Sequence, residues 1–490
     1  MPKMPRKQKK EIEFNPQRTG FLRFKRSGDE YLVTNDIGEY AFLTEKVFSK
    51  LAAGTLDKKS AEYKDLSRKG FVRDYMDFAG LADRWREKNH FLFSGPALHI
   101  AVLTRRCNHD CVYCHASSKK GGRGLDMTKE TALKVLDSVF ASPAPSVTIE
   151  FQGGEPLLNW PVLEFMVKEA AERLKTTDKK VGLSLVTNLS AMTAERLDFL
   201  LKHNVAICTS LDGPADLHNK NRVATGGGSH AEVLKWWKII KKRTARSKNG
   251  PDALLTVTKQ SLGRHKDIVD EYVRIGARSI FLRFLNPFGA AKKAWGRIGY
   301  TAREYIEFYT KALDYVIDLN LKKKASLVEH TARIFLRKIL TDTDPNFMDL
   351  RSPCGAGIGQ IAYDYDGRVF TCDEGRMLAA EGTDAFCMGD LKKEAYADLA
   401  ASPTVKCVVT ASVTDIQTLC SSCVYKPYCG VCPVFNYSEH NDLYMHHPNF
   451  RCEIYTGVMD YLFARLREPK VKKLFESWAG SSAGVAGIHV

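Results

Sequence analysis

Between residues 98 and 285, short apolar runs alternate with amphipathic stretches, and this alternation restricts the fold more than any other feature of the chain. Each run is rich in β-branched or large apolar residues and is bounded by polar turns, which predicts a strand buried on both faces. Strands separated by helices indicate βαβ units with right-handed crossovers, so we expect an α/β domain with a parallel sheet. Six repeats suit either an open doubly wound sheet or an incomplete barrel. The predicted strands are 98–103, 147–151, 182–186, 205–211, 254–257 and 280–285.

The flanking segments predict further domains, since 490 residues exceed the usual size of one domain. Short strands followed by helices at the start favour a small α+β, winged-helix-like module. After Pro353 the sequence is rich in cysteine and poor in periodic apolar residues, so we expect metal to stabilise that part. The predicted divisions are an N-terminal module at 1–90, the α/β domain at 91–300, a helical bridge at 301–350, a cysteine-rich domain at 351–465 and a tail at 466–490.

Cysteine usage indicates metal or redox chemistry. The sequence has neither an apolar stretch of membrane-spanning length nor a secretory signal, which predicts a cytoplasmic protein without a membrane partner. Thiols in that compartment stay reduced, so the thirteen cysteines are not expected to form a disulfide framework. Three lie between 107 and 114, nine lie between 354 and 452, and Cys208 falls in an apolar strand, where we interpret it as core packing.

Cys107, Cys111 and Cys114 follow the first predicted strand directly. In parallel α/β folds, active sites collect at the carboxyl ends of the strands. A [4Fe-4S] cluster is usually held by four thiolates, so a loop with three would leave one iron open for another ligand. A zinc site is the competing interpretation, although zinc sites typically use two C-x2-C pairs.

The pattern C-x3-C-x-aromatic-C, with Tyr113 before the third cysteine, resembles the signature of the radical S-adenosylmethionine (SAM) superfamily. This resemblance implies a partial (β/α)6 barrel with one [4Fe-4S] cluster on the three cysteines. It also implies that SAM binds the open iron and is cleaved reductively to a 5′-deoxyadenosyl radical, which abstracts a hydrogen atom from the substrate.

Residues after the second, third and fourth predicted strands resemble the SAM contacts of this superfamily. The GGEP element at 153–156 implies a contact between the Glu155 carboxylate and the SAM amino group. An arginine suits a carboxylate because its planar fork binds both oxygens. Taken singly, Asn188 or Ser210 is equally well interpreted as a turn residue. The resemblance assigns SAM binding to Tyr113, Gly153, Gly154, Glu155, Thr187, Asn188, Ser210, Asp212 and Arg222.

The C-terminal cysteines resemble the SPASM extension of radical SAM enzymes, which carries two auxiliary iron-sulfur clusters. The resemblance implies an outer cluster on Cys420, Cys423, Cys429 and Cys452, and an inner cluster on Cys354, Cys372 and Cys432. The spacing between Cys429 and Cys432 is C-x2-C, whereas the family has C-x3-C. Cys432 therefore departs from the family's pattern. Either Cys387 or Cys407 is a candidate for the missing inner ligand, unless that position is open. A zinc site on Cys420, Cys423, Cys429 and Cys432 is the alternative.

Asp373, next to Cys372, matches the proposed general base of anaerobic sulfatase maturases. The stretches 21–40, 70–72 and 371–377 resemble the radical SAM maturases of His-Xaa-Ser peptide systems. This resemblance implies a ribosomally made peptide substrate with a leader, which the N-terminal module would capture by strand addition. A structural cap over the catalytic domain is the other interpretation of that module.

The predicted activity is hydrogen abstraction from a peptide residue, giving an oxidative modification or a cross-link, with flavodoxin or ferredoxin as electron donor. A sulfatase-type maturase that forms formylglycine is the first alternative. An RNA-modifying radical SAM enzyme is the second; the net charge of +16 permits it, but the sequence shows no recognised RNA-binding module. A metal-stabilised binding protein would require the SAM contacts to be coincidental.

Overall fold

The computed structural model describes residues 12–116, 118–119, 121–246, 250–446 and 448–480. The basic N-terminal residues and the end of the predicted tail lie outside this part of the chain. Within it, no helix is both long enough and apolar enough to cross a membrane.

The N-terminal module is an α+β unit, as predicted. Three strands form an antiparallel meander, and Val33, Phe48 and Phe71 are buried between it and the helices. The side chains of Thr44 and Ser60 cap the first two helices by accepting backbone amide hydrogen bonds. The elements are β1 Arg23–Ser27, β2 Glu30–Thr34, β3 Tyr40–Thr44, α1 Glu45–Ala52, α2 Ala61–Arg68 and α3 Phe78–Lys88.

The next region contains the six predicted strands, which pair side by side in parallel, although the sixth, predicted at 280–285, is reduced to Leu282–Arg283 in this sheet. Amphipathic helices follow the strands, as the alternation in the sequence predicts. The elements are β4 Leu98–Val102, β5 His109–Cys111, α4 Lys129–Ala141, β6 Ser146–Gln152, α5 Trp160–Arg173, β7 Lys180–Thr187, α6 Ala194–Lys202, β8 Ala206–Ser210, α7 Ala215–Asn221, β9 Arg222–Ala224, α8 Ser229–Arg243, β10 Asp252–Thr256, α9 His265–Arg274, β11 Ser279–Ile280, β12 Leu282–Arg283 and α10 Gly289–Ile298.

The C-terminal region extends the same sheet. β14 pairs in parallel with β4, and the antiparallel strands β15 and β16 follow, so that the order is β12-β10-β8-β7-β6-β4-β14-β15-β16. The elements are α11 Ala302–Leu321, β13 Val328–Glu329, α12 His330–Leu340, β14 Gln360–Tyr363, β15 Arg368–Phe370, α13 Asp373–Ala379, β16 Cys387–Asp390, α14 Tyr396–Ala400, α15 Pro403–Ala411, α16 Pro433–His440, α17 Phe450–Arg465 and α18 Pro469–Gly480.

Two expectations for the C-terminal region need correction. Helix α17 packs against α11 through buried residues such as Val458 and Leu462, so this region has the apolar packing that its sequence was predicted to lack. The segment predicted to be a tail contains α18, which packs against α12 and buries Phe475 and Trp478. Both helices bury their apolar faces against the predicted helical bridge, a contact that local sequence does not reveal.

The two faces of the central sheet have different roles. On β6, Val147, Ile149 and Phe151 pack against the surrounding helices. Side chains alternate along a strand, so Glu150 and Gln152 lie on the opposite, inner face. The inner face at the carboxyl ends of the strands is where the functional residues described below lie.

Candidate active site

The loop that carries Cys107, Cys111 and Cys114 lies at the carboxyl end of β4. Its β5 segment pairs antiparallel with β9, and the Cys107 thiol accepts a hydrogen bond from the His109 amide at 3.4 Å. Burial raises the pKa of Cys107 to about 11 and that of Cys111 to about 12, and the Cys114 thiol adds to both rises. Because a thiol must lose its proton to bind metal, a positively charged metal centre is the partner that these buried thiols fit.

Gly153 and Gly154 let the end of β6 pack directly against this loop. A Cβ atom on Gly153 would lie 2.5 Å from the Thr104 carbonyl oxygen. One on Gly154 would lie 2.3 Å from the Arg106 carbonyl oxygen and 2.9 Å from Cys107 Cβ. The glycines are therefore needed for the approach of two backbone segments, whereas the sequence suggested only the approach of a ligand.

The carboxylate of Glu155 links the end of β6 to the end of β7. Its Oε1 accepts hydrogen bonds from the Leu157 amide at 2.9 Å and the Thr187 hydroxyl at 2.7 Å, and its Oε2 accepts from the Asn188 amide at 2.8 Å. Burial raises the pKa of Glu155, and these hydrogen bonds oppose the rise. Asn188 Nδ2 lies 4.0 Å from Cys107 Sγ, so this network reaches the cysteine loop.

Arg222 lies beside the cysteine loop because Asp212 holds it there. The fully buried Asp212 accepts hydrogen bonds from Arg222 Nε at 3.2 Å and from the Tyr113 hydroxyl. Arg222 Nη1 lies 4.0 Å from Cys111 Sγ. Burial lowers the pKa of Arg222, but Asp212, Tyr113 and Cys111 together raise it by more, so the net shift is upward. This guanidinium is therefore a fixed positive charge, which suits an anionic ligand at the loop.

The predicted SAM contacts come together at one edge of the sheet. They lie on the cysteine loop, on β9 and at the carboxyl ends of β6, β7 and β8, where Ser210 is the last residue of its strand. Their roles toward SAM stay predictions. The set is Tyr113, Gly153, Gly154, Glu155, Thr187, Asn188, Ser210, Asp212 and Arg222.

Four thiols of the C-terminal region surround a second location. Cys420, Cys423, Cys429 and Cys452 line one cavity, and Cys432 of the inner group lines it as well. Burial raises the pKa of Cys420 to about 12 and that of Cys452 to about 11, and neighbouring thiols of the group add to both rises. These four residues are the ligands predicted for the outer auxiliary cluster.

Three further thiols form a buried inner group. Cys354, Cys372 and Cys432 share one apolar cluster with Phe288 and Phe435. Burial raises the pKa of Cys432 to about 11. The short spacing before Cys432 therefore does not separate it from Cys354 and Cys372.

The remaining cysteines lie elsewhere. Cys387 packs at the edge of another cluster, with Leu98 and Ala362, and donates to the Gly389 carbonyl oxygen at 3.5 Å. Cys407 is exposed on α15. Neither residue belongs to the buried cluster that contains Cys354, Cys372 and Cys432. Neither Cys387 nor Cys407 is therefore placed as the fourth ligand of the inner group. Cys208 is buried with Leu254 and Phe281, in agreement with its predicted packing role.

The thiol groups are donor sets that suit iron-sulfur clusters, and an all-thiolate set can also bind zinc. In the part of the chain that the structure describes, no set of three or more His, Cys, Asp or Glu side chains converges closely enough to hold one metal ion. The outer thiols instead line a space. All-thiolate donor sets are the usual ligands of iron-sulfur clusters.

Residues 101–269 match the radical SAM superfamily. The chain contains a radical SAM domain. It is therefore an enzyme, and the family implies that SAM and a [4Fe-4S] cluster are its cofactors.

Two curated relatives show how far the similarity extends. The radical SAM cyclopropyl synthase TigE of Paramaledivibacter caminithermalis is 29% identical over 155 residues, which cover 29% of this chain and 32% of TigE. The chain thus matches about a third of the length of TigE. The cysteine-type anaerobic sulfatase-maturating enzyme of Clostridium perfringens is 24% identical over 385 residues, which cover 76% of this chain and 97% of that enzyme.

Two solved structures share the fold. Native anSMEcpe with bound AdoMet and Kp18Cys peptide has a TM-score of 0.64 at 19% identity, covering 77% of this chain and 100% of that one. Streptococcus suis SuiB bound to its precursor peptide SuiA has a TM-score of 0.53 at 14% identity, covering 88% of this chain and 99% of that one. The α/β radical SAM fold predicted from the sequence is confirmed.

Asp373, the predicted general base, forms a buried ion pair next to the radical SAM domain. Its carboxylate accepts from Arg376 Nε at 2.8 Å and lies 2.7 Å from Arg376 Nη2. Burial lowers the pKa of Arg376, but the carboxylates of Asp373 and Asp364 raise it, and the Cys114 thiol adds to the rise. The carboxylate is engaged by Arg376, and its role as general base stays a prediction.

Sequence reasoning did not single out three residues of this region. Gly289 has a φ of 58° and its Cβ would lie 2.5 Å from the Cys114 carbonyl oxygen, which accepts from the Ala290 amide at 2.9 Å. Glu150 and Arg283 lie on the inner face of the sheet. Glu150 is a carboxylic acid inside an apolar predicted strand, and that contrast was a usable signal in the sequence.

Proposed function

We propose that this enzyme abstracts a hydrogen atom from a residue of a ribosomally made peptide and so introduces an oxidative modification or a cross-link. When bound, SAM and a reduced cluster on Cys107, Cys111 and Cys114 would supply the 5′-deoxyadenosyl radical for that step. The observation that carries the proposal is the presence, in one fold, of a radical SAM domain and two further groups of thiols.

The residues around the cysteine loop would position the cofactor. Arg222, held by Asp212, offers a fixed positive charge beside Cys111. Glu155 fixes the loop that follows β7, and Gly153 and Gly154 fix the distance between that edge and the cysteine loop. A site whose groups already hold one another loses little conformational freedom on binding.

The auxiliary thiol groups would serve the later, oxidative part of the reaction. The inner group shares its buried cluster with Phe288, the residue that precedes α10, and α10 in turn contacts the carbonyl of Cys114. A cluster on Cys354, Cys372 and Cys432 would therefore lie on the side of the fold that faces the radical SAM site. It is suited to accept an electron from the substrate.

The N-terminal module would recognise the leader of the peptide. In the order β1-β2-β3, the outer edge of β1 has no partner strand among the described residues, and Phe24 on β1 is 55% exposed. An extended peptide can add to such an edge through backbone hydrogen bonds. SuiB, whose fold covers most of this chain, has been solved with its precursor peptide.

The sulfatase-type maturase is the second candidate. The Clostridium perfringens sulfatase-maturating enzyme is matched over 97% of its length, and Asp373 occupies the position predicted for a general base. On this alternative, the substrate would be a Cys or Ser of a sulfatase, oxidised to formylglycine.

The two candidates can be separated with defined peptides. The reconstituted enzyme is incubated with SAM, reductant and either the short peptides encoded beside its gene or a cysteine-containing sulfatase peptide, and products are identified by mass spectrometry. The proposal predicts that one of the peptides encoded beside the gene loses two hydrogens. The Cys111→Ala variant of the enzyme should give no product. An aldehyde on the sulfatase peptide would establish the alternative instead.

A further inference from the structure

The cysteine loop contains a buried histidine whose ring has no partner in the protein. His109 is 6% exposed, and neither of its ring nitrogens has a hydrogen-bond partner among the described residues. An imidazole carries at least one N–H donor in every protonation state. Buried polar atoms are nearly always hydrogen-bonded, so a buried ring with two unpartnered nitrogens calls for an explanation.

The ribbon formed by β5 and β9 indicates the side on which this ring lies. His109 and Cys111 are two residues apart on β5, and Arg222 of β9 lies directly opposite Cys111. Side chains alternate between the faces of a strand, and directly opposite residues share a face, so these three side chains lie on one side of the ribbon. The other side carries Asp110, which is exposed, and Val223, which is 48% exposed. The ring of His109 therefore lies on the buried side, with Cys111 and Arg222.

The buried side of the ribbon is the side of the predicted cluster ligands. Arg222 Nη1 lies 4.0 Å from Cys111 Sγ, and Cys107 Sγ accepts a hydrogen bond from the His109 amide at 3.4 Å. Residues two apart on one face of a strand are separated by roughly 7 Å, a distance that a histidine side chain spans in large part. The His109 ring is thus within reach of the sulfur atoms that would hold the cluster.

The carboxylate on this side of the site is already engaged. Asp212 accepts hydrogen bonds from Arg222 Nε at 3.2 Å and from the Tyr113 hydroxyl, and it does not bond to the His109 ring. The sulfur atoms at Cys107 and Cys111 are acceptors on the same side of the ribbon. Sulfur atoms of an iron-sulfur cluster accept hydrogen bonds, and those bonds help to set its reduction potential.

We propose that the His109 imidazole donates a hydrogen bond to a sulfur atom of the cluster on Cys107, Cys111 and Cys114, and so raises the reduction potential of that cluster. Reduction adds negative charge, and a hydrogen bond to a more negative acceptor is stronger, so the donor favours the reduced state. The role concerns the radical SAM domain alone and is independent of the peptide that the enzyme modifies. The rival acceptors are bound SAM and a buried water.

The test is a redox titration of the reconstituted enzyme without SAM, followed by EPR. The signal of the relevant cluster is the one that Cys111→Ala lacks. His109→Phe keeps an aromatic ring without a donor, and its cluster should be at least tenfold harder to reduce, which is a midpoint lower by about 59 mV for one electron. His109→Gln keeps an N–H donor and should stay within about threefold of the wild type. Val223→Ala, on the exposed side of the same ribbon, should leave the midpoint unchanged.

Three results of the titration would overturn the proposal. An unchanged midpoint in His109→Phe would show that the ring bonds to water or to nothing. Equal shifts in His109→Phe and His109→Gln would show that the packing of the ring matters and its N–H group does not. A shift that appears only after SAM is added would show that the ring contacts SAM and not the cluster.

A second measurement applies even where His109→Phe fails to hold its cluster. Enzyme made with isotope-labelled histidine is reduced without SAM, and pulsed EPR is used to detect a coupling between a histidine nitrogen and the cluster. The wild type should show this coupling and His109→Gln should lack it. Absence of the coupling in the wild type, or its persistence in His109→Gln through another histidine such as His115, would contradict the proposed hydrogen bond. Neither measurement uses a peptide, so failure of the proposed peptide chemistry would leave both results unaffected.

Discussion

At the scale of single residues, the candidate SAM site is held together by contacts within the protein. Glu155 joins three backbone and side-chain donors, Asp212 orients Arg222, and the two glycines after β6 contact the cysteine loop. Such contacts are suited to keep the geometry of the site constant before a ligand arrives.

Replacing Glu155 with glutamine tests this network. The new amide NH2 group would point at one of the groups that donate a hydrogen bond to the Glu155 carboxylate in the wild type. Leaving a buried donor unsatisfied costs about 1–3 kcal/mol. We expect a clearly lower Tm for Glu155→Gln in thermal unfolding. Glu130→Gln is the control, because the Glu130 side chain is 81% exposed on α4. Equal Tm values for the two variants would contradict the structural role of Glu155.

Gly154→Ala tests the packing of β6 against the cysteine loop. The new methyl group would overlap the Arg106 carbonyl oxygen and displace the backbone that carries Cys107. We expect the reconstituted variant to lose about four iron atoms per chain, the content of one [4Fe-4S] cluster. Gly296→Ala, which meets no atom within 4 Å on α10, should keep the wild-type iron content. Full iron content in Gly154→Ala would show that the loop tolerates the shift.

The chemical groups at this site could be predicted from sequence more readily than their partners. Cys107, Cys111 and Cys114 follow a recognisable spacing, and Arg222 and Asp212 occupy strand ends. That Asp212 binds Arg222 and Tyr113, or that Asp373 is paired with Arg376, depends on side-chain packing that no local pattern encodes. Glu150 was missed although an acid inside an apolar run was a usable signal, and Arg283 was missed because β12 has only two residues.

At the scale of secondary structure, strands with long apolar runs were predictable and short ones were not. All six parallel strands lie where the alternation of apolar and amphipathic segments places them. β14, β15 and β16 were missed, because they have only three or four residues each and β14, on which the other two build, pairs with β4 across more than 250 positions of the chain. Strands this short are stabilised by their neighbours and not by their own sequence.

The N-terminal module contacts the segment that carries the outer thiols, and this contact can be tested. Arg23 Nε donates to the Ser421 carbonyl oxygen at 2.7 Å, between Cys420 and Cys423. Loss of a hydrogen bond from a charged donor costs about 1.5–3 kcal/mol. In Arg23→Met we expect amide hydrogen exchange in 418–425 to become at least about tenfold faster.

Arg26→Met is the matched control for this contact, since Arg26 lies on the same strand and is exposed. It should leave exchange in 418–425 as in the wild type. Faster exchange in both variants would mean that the module acts on the thiol segment through general stability, and not through Arg23.

At the scale of the whole molecule, the chain places three groups of thiols in one continuous fold. The radical SAM domain supplies the first, and the sheet continues from β4 through β14 and β15 to the inner group at Cys372. The outer group lies under the N-terminal module. Substrate recognition, hydrogen abstraction and electron removal would thus occupy connected parts of one molecule.

The independence of the outer group can be measured by iron content. Cys429 lies among the outer thiols and is half-buried, so Cys429→Ala should lower the iron content from about 12 to about 8 atoms per chain. Cleavage of SAM should continue, because the loop at 107–114 is unaffected. Cys407→Ala, at an exposed cysteine, should change neither quantity. Loss of SAM cleavage in Cys429→Ala would argue against separate roles for the two groups.

The most direct test of the central claim is the formation of 5′-deoxyadenosine by the anaerobically reconstituted protein in the presence of SAM and dithionite. The structure and the radical SAM match predict that the wild type and Cys407→Ala form this product, and that Cys111→Ala does not. A protein that carries no iron at the loop of Cys107, Cys111 and Cys114, or that binds SAM and leaves it intact under strong reductant, would contradict the account.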